Sequence, residues 1–557
     1  MKNGKAIYLD GYASYFFEKE QCSVYIKGVP HLITGKTDQR QWADLVVNQL
    51  TGGSMPFEEW LSAELNWRSG LFSMVVQYGQ DHYIAGDIIR RFPVFYGFRN
   101  DQLFISNNLH QYQEQNGPFS VDAPKLEEFI SSGSVFGERT IFKDVNALLP
   151  GEIVSIKGGQ VESRRYFEFR LDNKPPLYEN LAEFSKALDK ILLSVFSMMV
   201  ERTPGVNRWL VPLSGGHDSR MIVNYLYRLG LKNVVCYTYG RESSEQVTLS
   251  RQVAEALGFE WHFVHYTEQK WQNLHETGLI EEYTNYAFNG VSTPHLQDFL
   301  AVCELKEKGF VQEGDVFVPG HTFDWLVGSN FNDADFACKN KEMAVERVSR
   351  RHLKSTDWSR SPSRTIEQVY DTITVEPQYF AEYFNWQESR SKFMVYSLQG
   401  YALLGFVSCL PYWDRSIVDF WMCVPDKDRM ERKIFHEAEK MGILVEPLLS
   451  IPYAGKVDKA TKNLGIDILR KLLPGSVKNM LLRISGRKVQ YAEGLNPIYA
   501  MQASTLKELL EPVEDFPPTI RPYFDDFLNR LPYQVDYHFL TALLATRNQM
   551  NRNRKSA

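Results

Sequence analysis

The chain has 557 residues, more than one ordinary domain needs, so two or three domains are expected. Its 44% hydrophobic, 23% charged and 13% aromatic residues are the composition of a folded protein with large cores. A net charge of −6 gives no electrostatic case for nucleic acid or an acidic membrane as main partner, and no run reaches the ~18 apolar residues of a spanning helix.

The opening MKNGKAIYLDGYASYFF has no long apolar core or cleavage site and is not read as a signal peptide. Residues 1–168 read as β-rich. MVVQYGQDHYIAGDIIRRFPVFYGFRNDQLFISNN (74–108) gives short β-branched and aromatic runs broken by turn residues, which predicts stacked antiparallel sheets. LLPGEIVSIKGGQVESRRYF (148–167) predicts a hairpin around Gly158-Gly159. Residues 169–183, with Pro175-Pro176, read as a linker. From Leu181 the period changes, with Phe184, Leu188, Leu192, Val195 and Met198 at helical spacing. Then WLVPL (209–213) predicts a strand, residues 219–229 a helix closed by Gly230, VVCYTY (234–239) a strand, residues 244–258 a helix, and WHFV (261–264) a strand. This order implies a parallel sheet covered by helices. Beyond about 270 the chain reads as mostly helical, with one more strand at VFV (316–318). The domains expected are 1–168, 184–470 and a helical extension over 471–557. Cys22, Cys236, Cys303, Cys338, Cys409 and Cys423 form no CxxC pair and read as buried free thiols of a reducing cytoplasm.

The stretch most loaded with chemistry is LVPLSGGHDSRMIVNYL (210–226). A strand that ends in a glycine-rich turn and opens a helix makes an anion site, because backbone N–H groups converge and the helix N-terminus adds positive potential. Ser214, Gly215, Gly216 and Ser219 supply that turn and its hydroxyls. Asp218 would be repelled by bare phosphate, so its use is to hold Mg2+ bridging that phosphate. The Walker pattern is absent. A plain turn with a serine cap is the competing reading, but SGG-x-DS fixes five positions and arises by chance in roughly one chain of this length in a thousand.

SGGHDS resembles the pyrophosphate loop of the ATP pyrophosphatases, which transfer AMP to a substrate and release pyrophosphate. Three further segments resemble the asparagine synthetase family, and the resemblance spans nearly the whole chain. PGHTFDWLVGS (319–329) is similar to the family's SGEGSDE-x-x-G-G, which places Asp324 on its second Mg2+-binding aspartate and Gly320 beside the nucleotide. LPYWDRSIVDFWMCVP (410–425) resembles R-V-P-F-L-D-x-x-(L/V). GDIIRRFPVFYG and LLPGEIVSIKGG…RRYF resemble the family's glutaminase-type domain. The fold this implies is α/β with an α+β N-terminal domain. An Ntn-type antiparallel β-sandwich comes first, then a parallel-sheet ATP-pyrophosphatase domain, adenine nucleotide α-hydrolase-like, with a helical C-terminal part.

The departures narrow the function. Glutamine-hydrolysing members carry a cysteine directly after the initiator methionine, and here that place holds Lys2. Cys22 is no substitute, since the chemistry uses the nucleophile's own α-amine as base. Segments like the family's N-G-E-I-Y-N and R-L-S-I are also missing, so the N-terminal domain is expected to be folded but not a glutaminase. His321 and Trp325 stand where asparagine synthetase has glutamates; β-lactam synthetase has tyrosine at the first place and shares the P-Y-W-D-R pattern. His321 is read either as a base for the attacking amine or as a ribose or backbone hydrogen-bonding group. Lys456 in SIPYAGKVDKATKNLG (450–465) resembles the lysine near the α-phosphate, with Lys459 as competitor; Arg432 and Lys433 resemble a basic pair, structural or beside phosphate. Leu213 and Tyr239, at strand ends, flank adenine or belong to the core. His217 fills the motif's variable slot, without an assigned duty.

The resemblance thus implies an ATP- and Mg2+-dependent carbon–nitrogen ligase. Lys456 and His321 are the expected catalytic residues. Leu213, Ser214, Gly215, Gly216, Asp218, Ser219, Tyr239 and Gly320 are placed at the nucleotide, and Asp218 and Asp324 at the metal. The partners expected are a small-molecule or peptide carboxylate and ammonia or an amine, with no nucleic acid or membrane, in the cytoplasm, and self-association is left open. A non-catalytic binding or assembly protein is the alternative.

Overall fold

The computed structural model describes residues 7–9, 14–19, 21–33, 35–171, 178–353, 360–395, 398–454 and a few positions within 542–550. Lys2, Lys456, Lys459 and, but for those few positions, the extension assigned to 471–557 therefore lie outside the described residues.

A pair of stacked sheets forms the N-terminal region. One has six antiparallel strands in the order Gln160–Arg165, Glu152–Lys157, Asp81–Gly86, Phe72–Tyr78, Cys22–Gly28, Tyr15–Lys19. The other has four, Ile7–Tyr8, Gln102–Ser106, Phe95–Arg99 and Val145–Ala147, and its first pair is parallel rather than antiparallel. Period-two alternation explains the layering. Val75, Ile84, Val154 and Ile156 of the first sheet meet Ile7, Tyr96 and Ile105 of the second in one buried cluster. Met74 and Val76 point the opposite way, into the core shared with Trp42, Val46 and Leu61 of the helices Gln39–Gly52 and Phe57–Leu65. The β-rich expectation did not include these helices, nor Leu109–Asn116 and Ala123–Ser132. The hairpin is as expected. Lys157 pairs with Gln160, and Gly158 and Gly159 take φ of +55° and +81°, the two left-handed positions of a type I′ turn.

The region that follows is built on a five-stranded sheet, all parallel, in the order Glu260–His265, Val234–Gly240, Trp209–Pro212, Val316–Phe317, Val407–Ser408. The last strand was not expected. The chain starts at the centre, winds outward to one edge, then returns to build the other half. Strands Trp209–Pro212 and Val316–Phe317 are thus neighbours whose onward connections lead to opposite halves of the sheet. A crevice opens at such a switch point, at the carboxyl ends of the strands. The helix His217–Arg228 follows the first of these strands, and Ser244 caps Glu245–Leu257 by accepting from the Gln246 N–H. Among the described residues no helix is long and apolar enough to cross a membrane.

The sandwich and the parallel-sheet region meet across buried polar contacts. Trp386 Nε1 donates to the Ile88 carbonyl at 2.8 Å, and Ser69 Oγ donates to Asp414 Oδ2 at 2.7 Å. Lys392, fully buried on a π-helical stretch over Asn385–Met394, donates to the carbonyls of Val135 and Gly137 and to Glu388, each at 2.5–2.6 Å. Lys392→Ala would strand the Glu388 carboxylate in the interior, a cost of about 3–5 kcal/mol. Thermal unfolding is expected to show a sharply lower midpoint for Lys392→Ala and a milder loss for Lys392→Met paired with Glu388→Gln, which leaves no buried charge.

Candidate active site at the switch point

The cleft, about 640 Å³, lies where the two central strands end. Ser214, Gly216, His217, Asp218 and Ser219 line one side, Gly320, His321 and Asp324 another, and Tyr239, Gln297 and Asp298 a third. Sequence-predicted positions more than a hundred residues apart are therefore brought together.

Local chemistry shapes the Ser214–Ser219 turn. Ser219 Oγ accepts from the Ser214 N–H at 3.0 Å, Ser214 Oγ accepts from the Gly216 N–H at 3.2 Å, and Gln246 accepts from the Gly215 N–H at 2.6 Å. Gly216 is the N-cap of the following helix and brings no side-chain cap. The first-turn amides and the helix dipole thus face the cleft, an arrangement that attracts an anion.

Asp218 and Asp324 are the charged centre. Asp324 donates its N–H to Asp218 Oδ2 at 2.9 Å, and Ser329 Oγ donates to Asp324 Oδ2 at 3.0 Å. Burial first, and then the neighbouring Asp324 charge, hold the Asp218 carboxyl well above the usual range, against the pull of Arg432 and Arg390. Two crowded acids of this kind favour a divalent cation between them, and an all-oxygen donor set suits a hard ion such as Mg2+.

Backbone geometry brings the pair together. A Cβ on Gly320 would lie 2.9 Å from the Ser219 nitrogen and 3.1 Å from the Asp218 carbonyl carbon, so only glycine admits this approach. Thr322 holds φ +78°, a left-handed position that penalises a β-branched residue, and starts the turn that aims Asp324 at Asp218. The SGEGSDE pattern has glycine at that place. Tyr412, from the Pro411–Asp414 segment, donates its hydroxyl to the Asp218 carbonyl at 2.6 Å and stacks on Phe323 at 4.1 Å.

His321 lines the cleft, with Nε2 buried and unpartnered among the described residues. Burial pushes its imidazole down to about 4 despite the Asp324 charge, so it is neutral over the ordinary pH range and only a weak proton acceptor. Leu213 is 1% exposed and sits in the core rather than in the lining; Gly215 likewise faces Gln246 and Leu249. Tyr239 lines the cleft and stacks on Tyr266 at 5.3 Å.

Of the basic pair read as structural or beside phosphate, Arg432 lines the cleft. Its Nε is buried and unpartnered among the described residues, on a backbone held at φ +62°. His217 is an anchor rather than a spare slot. It stacks on Tyr453 at 3.5 Å and bonds Glu439 through Nδ1 at 2.9 Å. Tyr453 donates to the same carboxylate at 2.8 Å, and His436 lies 3.4 Å from it. Arg220 donates to the carbonyls of Ile451 and Pro452, and the Ala454 N–H donates to the Gly215 carbonyl at 3.1 Å. Residues 451–454 are thus latched against the turn, two residues before Lys456.

No family model and no curated protein matches the chain. Among solved structures it aligns with an allosteric regulatory enzyme of purine biosynthesis at 11% identity over 45% of this chain and 62% of that one, TM-score 0.20. It aligns with the glutamine phosphoribosylpyrophosphate amidotransferase of B. subtilis at 13% over 45% and 72%, TM-score 0.19. The NMN synthetase of Francisella tularensis aligns at 13% over 40% and 94%, TM-score 0.20. The chain therefore spans less than two thirds of the first of these, and scores of this size do not establish a shared fold.

Two outcomes check the geometry. Thr322→Gly removes the left-handed penalty and is expected to raise stability by roughly 1 kcal/mol, read as a higher thermal midpoint. For Glu439, burial alone would raise the carboxyl, but the hydrogen bonds from His217, His436 and Tyr453 outweigh it and hold it at about 2. A depressed carboxyl stabilises the fold above its unfolded value, near 4.5, and that contribution fades as pH falls toward 2. Glu439→Gln should therefore flatten the acid limb of the stability–pH curve, and an unchanged limb would refute the latch.

Proposed function

We propose that the protein is an ATP-dependent ligase that activates a carboxylate as an acyl-adenylate and passes it to ammonia or an amine, in the manner of the asparagine synthetase family. The observation that carries this reading is the half-buried, hydrogen-bonded pair Asp218–Asp324 at the switch point, beside a helix N-terminus with no side-chain cap. Bound there, Mg2+ would neutralise the pair and screen phosphate charge.

The protein's own groups then have separable tasks. The Ser214–Ser219 turn holds the β- and γ-phosphates through amides and hydroxyls, so it stabilises charge as pyrophosphate leaves. The substrate carboxylate attacks the α-phosphorus, its new P–O bond replacing the one to pyrophosphate. The amine nitrogen then attacks the acyl carbon, and the C–O bond to AMP breaks. Arg432 supplies positive charge at the phosphates, with Lys456 as the further cation the sequence points to. His321, being neutral, is ready to accept a hydrogen bond from the attacking amine, while solvent takes the proton. Tyr239 serves as a wall for the adenine.

The N-terminal sandwich acts as scaffold rather than as a glutaminase in this reading. Its Cys22 is 1% exposed inside a sheet, and burial pushes its thiol up to about 11, far from a nucleophile.

Exchange of labelled pyrophosphate into ATP, run across a library of carboxylic acids, tests the reading. Exchange should depend on one class of acid and fall at least ~100-fold in Asp218→Asn, Asp324→Asn and Lys456→Ala. No exchange with any acid would favour a non-catalytic binding protein. Glutamine should not be hydrolysed, and Cys22→Ala should change neither rate.

A further inference from the structure

Among the described residues, one group of three His, Cys, Asp or Glu side chains brings a donor atom from each within 4.8 Å of the other two: His217, His436 and Glu439. His217 opens the helix His217–Arg228, and His436 and Glu439 stand three residues apart on the helical stretch that begins at Lys433. That spacing puts the last two on one helix face. The His217 and Glu439 side chains are 9% and 3% exposed, and that of His436 is 31% exposed, which leaves an ion a way in. Both imidazoles line the cleft.

A hydrogen-bonded latch accounts for only part of this group. His217 Nδ1 is 2.9 Å from each Glu439 oxygen, and the Tyr453 hydroxyl donates to Oε1 at 2.8 Å, so the carboxylate is already served. His436 Nδ1, 3.4 Å from Oε2, adds only a weak hydrogen bond. As a metal ligand it is a third donor at a fitting distance. Bonds of about 2.0–2.1 Å from a tetrahedral ion set its ligand atoms roughly 3.3–3.4 Å apart. The observed separations of 2.9 and 3.4 Å lie close to that spacing.

The donor types point to one class of ion. Two imidazoles and one carboxylate are the ligand set of an open zinc site, in which the fourth position is left for water or a ligand. Tyr453 supplies the outer hydrogen bond that orients a ligating carboxylate. Imidazole nitrogen suits a borderline ion such as Zn2+, whereas the all-oxygen Asp218–Asp324 pair suits Mg2+. We propose that His217, His436 and Glu439 hold a zinc-class divalent cation, separate from the Mg2+ at Asp218 and Asp324, with its fourth position toward the cleft. Coordination then replaces the His217–Glu439 hydrogen bond. It ties the Ser214–Ser219 turn to the Lys433–Ala438 helix and, through Tyr453, to residues 451–454.

The test uses the full-length protein stripped with a chelator and titrated with Zn2+ in excess Mg2+, without nucleotide or acid, so its outcome is independent of the ligase reading. The wild type should bind one Zn2+ that Mg2+ does not displace. Co2+ in its place should give the intense visible absorption of a tetrahedral site, and Zn2+ should quench it. His436→Ala should weaken Zn2+ by about 100-fold and lose the Co2+ spectrum, and Tyr453→Phe should weaken Zn2+ roughly tenfold. Asp324→Asn should stay within about threefold of wild type, as expected of an independent site. Because His436 is partly exposed, His436→Ala should keep the metal-free thermal midpoint, and Zn2+ should raise that midpoint in the wild type alone. Zn2+ binding no tighter than Mg2+, equal Zn2+ affinity in His436→Ala and wild type, or Zn2+ lost in Asp324→Asn but kept in His436→Ala would overturn the proposal.

Discussion

Two half-buried acids joined by a backbone-to-carboxylate hydrogen bond, Asp218 and Asp324, are the constraint around which the rest is organised. Desolvation, and then the Asp324 charge, raise the Asp218 carboxyl, which works against the fold. The chain accepts that strain because a doubly wound sheet fixes both backbones. Strands Trp209–Pro212 and Val316–Phe317 run side by side, and their loops meet with no room for a Cβ at Gly320. Thr322 keeps a left-handed backbone at the same place. Strain of this kind persists where surrounding structure over-determines it; at Arg432 it falls on the cleft lining and at Thr322 directly beside it.

The supports reach far along the chain. Tyr412 holds the Asp218 carbonyl, and Asp414, two residues on, accepts from Ser69 of the N-terminal region and pairs with Arg202. The N-terminal region thus contributes to the site without lining it. From the other side, the His217–Glu439–Tyr453 latch fixes residues 451–454 on the turn. A helix that starts with no side-chain cap is open to an anion; a latch that holds the next segment beside it sets the walls of that anion's site.

Much of the parallel-sheet region was legible because short continuous apolar runs give way, across short loops, to apolar residues at a 3.6 period. WLVPL and VVCYTY were placed within a residue of Trp209–Pro212 and Val234–Gly240. Val407–Ser408 is only two residues long and leaves no period to read. The helix Gln39–Gly52 is signalled by an Asp38–Gln41 capping box, a cue outweighed by the β-rich runs around it. Asp218 was singled out by its glycine-rich turn, and Asp324 and Gly320 by resemblance to a family segment; all three line one cleft. His217 could not be assigned a partner, because Glu439 lies 222 positions away and nothing local ties them. His436 was equally invisible as a member of that group. It joins the other two only where the Lys433–Ala438 helix comes back to the turn.

The central claim is that the Asp218–Asp324 pair, with the adjacent turn, is a site for a metal-bridged pyrophosphate. Its most direct test is calorimetric titration with pyrophosphate, with and without Mg2+, in buffers of different ionisation enthalpy. A carboxyl held above its usual range must lose its proton when a cation arrives. The account predicts binding that requires Mg2+ and releases more protons in wild type than in Asp218→Asn, where affinity collapses. Binding that survives chelation, or is equal in Asp218→Asn, would contradict it.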